Sequence, residues 1–109
     1  MTDQEKVVST DTETVIIDEE LEDLIPGYLE NRRQDIALIL SALERNDFET
    51  IRAIGHKMKG SGGGYGFDRI TEIGRALEAA AKRAINRDIQ ERIHELRDYL
   101  DRVQIVFQP

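Results

Sequence analysis

Cysteine and tryptophan are absent from this chain, and aromatic residues of any kind make up only 6% of its 109 residues. Without cysteine, disulfides, thiol catalysis and cysteine-ligated metals are excluded. With so few aromatic side chains, the core must come mainly from Leu, Ile and Ala. Positive charge is in deficit: 15 Lys and Arg stand against 22 Asp and Glu, a net charge of −7. That balance argues against nucleic-acid binding, which needs a basic footprint, and disfavours docking on an anionic membrane. No apolar run approaches the roughly 20 residues of a membrane span, and the opening residues lack the apolar stretch of a secretory signal. A cytoplasmic location is therefore expected. What remains, 39% hydrophobic and 34% charged, suits one soluble helical domain with a single core.

Residues 1–17 are polar apart from Val15-Ile16-Ile17 and read as a flexible N-terminal arm able to lie against the fold. The folded domain is expected over residues 18–107. Asp18 is a candidate N-cap. Apolar positions then recur at helical spacing through Leu21, Leu24, Ile25, Tyr28, Leu29, Ile36, Ile39, Leu40 and Leu43. Pro26 interrupts them, giving a short first helix and a longer one to about Arg45. Asp47 caps a third helix, with Phe48, Ile51, Ile54, Gly55 and Met58 on its core side, running to about Gly64. Tyr65-Gly66-Phe67 reads as a connection. A fourth helix carries Ile70, Ile73, Gly74, Leu77, Ala80, Ala81 and Ala84. Asn86-Arg87-Asp88 reads as a turn. The last helix buries Ile89, Ile93, Leu96, Leu100 and Val103 and extends toward Phe107. No strand pattern stands out. Short connections between amphipathic helices imply an all-α, antiparallel up-down four-helix bundle with a short extra N-terminal helix.

The stretch from Ile51 to Phe67 concentrates the chemistry. One of only two histidines, His56, is followed by Lys59 and by five glycines within ten positions. Helix interiors avoid glycine, which costs about 1 kcal/mol relative to alanine. A bare backbone beside His56 therefore suggests that access is needed there. With Ile51 set at zero and about 100° per residue, Gly55 falls at about 40° and Met58 at about −20°, on the core side. His56 falls at about 140°, Lys59 at about 80°, Gly60 at about 180°, Gly63 at about 120° and Arg52 at about 100°, all outward. An exposed imidazole is a competent nucleophile at neutral pH. Lys59, one turn on, can reach a phosphoryl group on that ring and offset its charge. Gly60 and Gly63 remove side chains that would block a second protein. A surface histidine with a lysine at i+3 is common without any function, and glycine clusters are common in loops, so the spacing carries weight only in combination. His94 reads as a surface or packing residue.

His56-Lys-Met-Lys59-Gly60-Ser61 resembles the His-x-x-Lys-Gly-Ser signature of histidine-containing phosphotransfer (HPt) domains, and Gly66 matches a further glycine of that pattern. Leu24 to Arg33, Asp47 to Ile51 and Ile73 to Glu78 are similar to the flanking helices of bacterial members, so the resemblance covers roughly residues 18–105. Met58 replaces the usual Leu, a volume-conserving change. Gly62-Gly63-Gly64 is richer in glycine than most members. The resemblance implies that His56 accepts a phosphoryl group on Nε2 from the aspartyl phosphate of a receiver domain and passes it to another, with Lys59 steadying it. It implies response-regulator receiver domains as partners, with a hybrid histidine kinase as a further candidate. It also implies that Mg²⁺ comes from the receiver, this chain binding neither metal nor other cofactor. Such a chain is a carrier without an ATP site of its own. Arg52, Ala53, Gly60 and Gly63 are candidates for the docking surface, with the off-pattern Leu38 as an addition.

Two other assignments share this motif. One is the phosphoacceptor module of a histidine kinase, although Met1 favours a free-standing module. The other is a non-catalytic bundle that binds receivers, against which the intact His56 and Lys59 argue. A di-metal bundle needs two Glu-x-x-His pairs, and Glu91-Arg-Ile-His94 has no second copy.

Overall fold

A computed structural model describes residues 13–109 of the chain. Four helices carry the fold: α1 (Ile25–Glu44), α2 (Phe48–Gly62), α3 (Asp68–Lys82) and α4 (Asn86–Arg102). A 3-10 helix at Glu19–Leu24 leads into α1 and forms the short extra N-terminal helix. The Asp18 side chain caps it, accepting from Glu20 N at 2.9 Å. Pro26 lies in the first turn of α1, where its missing N–H has no intrahelical acceptor to lose. The result is an all-α four-helix bundle.

The connections are three to five residues long. Asn46 adopts φ 56° between α1 and α2, and Ala84 adopts φ 55° between α3 and α4. The Asn86-Arg87-Asp88 segment is the first turn of α4, not the preceding turn, which the left-handed Ala84 supplies instead. Asp47 caps α2, its Oδ1 accepting from Thr50 N at 3.1 Å. Ile39, Ile51, Met58, Ile70, Ile73, Leu77, Ile89 and Leu96 fill the bundle core and are all but fully buried. Tyr28 stacks on Tyr65, with ring centroids 4.3 Å apart, and on Phe67 at 5.8 Å.

Two strands were not legible as such. β1 (Glu13–Asp18) and β2 (Val103–Gln108) form a parallel pair in the register Glu13↔Val103 to Asp18↔Gln108. Residues 13–17, read as part of a flexible arm, are thus a paired strand with Ile17 buried; the arm's residues 1–12 lie outside the described residues. Likewise α4 ends at Arg102, and Val103 to Phe107 continue as strand. The physical reason is composition: Thr14-Val-Ile-Ile and Val103-Gln-Ile-Val-Phe are β-branched and aromatic. Parallel pairing needs a long crossover, which the whole bundle provides. Val15, Ile17, Val103, Ile105 and Phe107 face the bundle. Arg69 ties β1 to α3 and α4 through Glu13 and Glu95, each at 3.2 Å.

Candidate functional site

The pairing of α2 with α3 builds the site. At their crossing, the two backbones touch. A Cβ on Gly55 would lie 2.8 Å from Glu78 N and 3.0 Å from Gly74 O, and a Cβ on Gly74 would lie 2.5 Å from Lys59 N. Only glycine at both positions permits this approach. Gly62 behaves alike, since its Cβ would lie 2.6 Å from Thr71 N. Three of the glycines around the histidine turns are therefore there for helix packing. Gly60 and Gly64 are different: nothing lies within 4 Å of a Cβ at either.

Close contact at Gly55 brings Glu78 of α3 under the outward face of α2. Glu78 Oε2 lies 3.1 Å from His56 Nδ1, and Oε1 lies 2.8 Å from Lys59 Nζ. Among the described residues, Glu78 is the only charged one that is buried, at 8% exposure. The hydrogen bond from Lys59 holds its carboxyl below the ordinary carboxylate range; partial burial opposes this, and the His56 bond adds to it. Glu78 is therefore ionised at neutral pH and can only accept. It follows that Nδ1 of neutral His56 carries the proton and Nε2 carries the lone pair. The His56 side chain is 62% exposed, so the nucleophilic nitrogen is presented to solvent.

The other residues singled out in the sequence fall around this cluster. Lys59 is half-buried beside His56 through their shared carboxylate. Arg52 lies one turn before His56 but is engaged by Glu49 on its own helix. Ala53 is half-buried, and Gly60 and Gly63 are exposed. A side chain at Gly63 would lean toward α3, 3.5 Å from Asp68 Oδ1, so Gly63 and Lys59 share one flank of His56 while Gly60 opens away from it. Leu38 on α1 is 55% exposed. Ser61 turns inward, its hydroxyl 2.9 Å from Tyr28 Oη. His94 and Glu91 are exposed on α4. Among the described residues, no group of three or more His, Cys, Asp or Glu side chains is placed to hold a metal ion, and no helix is long and apolar enough to cross a membrane.

Glu78 is the functional residue that the sequence reading did not pick out. The signal was present. Gly74, Leu77 and Ala81 mark the buried stripe of α3, and Glu78 sits at i+4 from Gly74 on that stripe. A carboxylate there needs partners.

The arrangement is a nucleophile with its tautomer set by a buried carboxylate, beside an ammonium that can meet an incoming anion. The family model for the Hpt domain matches residues 19–105 of the chain. No curated protein and no solved structure matches it.

Proposed function

Because this chain belongs to the Hpt domain family, we propose that His56 carries a phosphoryl group between receiver domains in a two-component phosphorelay. Histidine phosphotransfer in two-component signalling is the general role of the family, and receiver domains of response regulators are its general partners. The observation that supports the specific assignment is the Glu78 carboxylate spanning His56 Nδ1 and Lys59 Nζ. In the proposed step the Nε2 lone pair attacks phosphorus of a receiver aspartyl phosphate. The N–P bond forms, the P–O bond to the aspartyl carboxyl breaks, and the carboxylate leaves with the electron pair. The Nδ1 proton stays in place against Glu78, which offsets positive charge building on the ring. Lys59 turns from Glu78 toward the phosphoryl oxygens. The reverse sequence delivers the group to a second receiver. Mg²⁺ is assigned to the receiver. Catalysis then consists of positioning and charge stabilisation in a composite site.

Arg52, Ala53, Gly60 and Gly63 would border the docked receiver, Gly60 and Gly63 by leaving its approach free. Locally this face carries Arg52 and Lys59 on a chain of net charge −7, which suits a partner whose active site is anionic. The test is to mix the chain with phosphorylated receiver domains and follow the label. Acid-labile, base-stable phosphate should appear on the wild type with matching loss from a receiver, and not on His56→Gln. Labelling only by ATP with a kinase domain would favour a kinase phosphoacceptor instead. No labelling by either route would leave a non-catalytic receiver-binding bundle.

A further inference from the structure

One hydroxyl behind the site has no packing explanation. Thr71 Oγ1, on α3, donates to Lys59 O at 2.9 Å and accepts from Gly63 N–H at 2.8 Å. Lys59 O and Gly63 N are the two groups that an α-helix joins directly, four residues apart. The Thr71 hydroxyl stands between them. Side chains inserted in this way are a recognised cause of helix bending. Here α2 ends at Gly62 and the chain tightens into a 3-10 turn over Gly63–Tyr65. The inserted hydroxyl therefore sets where the α-helix stops, three residues after Lys59, whose ammonium serves the site.

We infer that Thr71 is a positioning residue for phosphoryl acceptance, holding the Lys59 turn and the glycine rim in register with His56 through its doubly bonded hydroxyl. This rests on the assignment of His56 as the phosphoacceptor. Three features converge on the role. Thr71 contacts the backbone of Lys59, not its side chain, so it fixes the point from which the ammonium swings. Its N–H and Oγ1 would lie 2.6 and 2.7 Å from a Cβ at Gly62, so the turn is seated on Thr71 with no room to slide. Without the hydroxyl, Lys59 O and Gly63 N–H are free to bond each other. That would extend α2 and rotate Gly63 and Gly64 relative to His56.

The test uses phosphoramidate, a small donor that needs no protein docking and releases ammonia as its phosphoryl group moves to the imidazole. Wild type, Thr71→Val and Thr71→Ser are compared by ³¹P NMR, and Gly63 amide exchange is read on the same samples. Thr71→Val should slow His56 phosphorylation by about tenfold, the scale of a sub-ångström misplacement of a catalytic group. Thr71→Ser, which keeps the hydroxyl, should stay close to the wild-type rate, and the Gly63 amide should change its environment only in Thr71→Val. If the valine variant fails to fold, Thr71→Ala carries the same expectation. Wild-type rates in the valine and alanine variants, or a serine variant as slow as valine, would overturn the inference. A wild-type chain that phosphoramidate and receivers alike fail to label would instead overturn the assignment of His56.

Discussion

Glu78 and His56, 22 residues apart in sequence, meet at 3.1 Å between Oε2 and Nδ1. That contact turns an exposed histidine into an oriented one. It fixes which ring nitrogen is free, and the second oxygen of the same carboxylate anchors Lys59. Two glycines, Gly55 and Gly74, make the meeting possible by letting the helix backbones touch.

Removing the carboxylate should therefore impair acceptance without unfolding the bundle. Glu78→Ala should lower the rate of His56 phosphorylation by about ten- to a hundredfold through loss of ring orientation. Glu78→Gln, which can still accept from Nδ1, should lose less. Single-turnover transfer from a phosphorylated receiver checks both.

The glycines divide into two classes with opposite responses to alanine. Gly74→Ala places a methyl against Lys59 N and Gly55 O and should destabilise the fold by about 1–3 kcal/mol, the usual cost of overpacking. Gly60→Ala meets nothing within 4 Å and should stabilise it by up to about 1 kcal/mol, the helix-propensity difference. Urea unfolding of the two variants measures both signs.

If the open face is where a receiver docks, bulk there should act on transfer and not on the fold. Gly60→Leu and Gly63→Leu should raise the receiver concentration for half-maximal transfer by about tenfold or more, as expected for a clash at an interface centre. Melting temperatures should stay near that of the wild type. An unchanged concentration dependence would show that the receiver approaches elsewhere.

The pH dependence of stability follows from the Glu78 carboxyl. Its folded value lies below the ordinary 4.5, chiefly because of the Lys59 hydrogen bond. A group depressed in this way stabilises the fold fully above its unfolded value and loses that contribution as pH falls through its folded value. The stability gap between wild type and Glu78→Gln should be level above about pH 6 and should shrink below the ordinary carboxylate range. Denaturation curves at several pH values test this.

Much of the bundle was legible because helical periodicity dominates it. Ile51, Met58, Ile73 and Leu77 fall on their core stripes, and Asp18 and Asp47 cap where expected. The outward placement of His56 followed from its angle to Ile51 alone. The strand pair was missed for a specific reason. Leu100, Val103 and Phe107 continue a helical spacing, while the alternation of Val103, Ile105 and Phe107 that marks β2 is only six residues long. Its partner β1 is nearly the whole chain away, and pairing at that separation leaves no local signal. Glu78 and Thr71 were missed because their roles exist only across the α2–α3 contact. From sequence, Gly60 and Gly63 read as a surface for a partner and Gly55 and Gly74 as core-side, which the helix contact bears out; Gly62, inside the glycine run, is a further point where the helices touch.

The most direct test of the account is to locate phosphorus on the imidazole after transfer from a receiver, using ¹⁵N-labelled histidine and ³¹P–¹⁵N NMR. The account predicts a single phosphorylated nitrogen, Nε2 of His56, with Nδ1 still protonated against Glu78. Phosphate on Nδ1 of His56, or on His94, would contradict it.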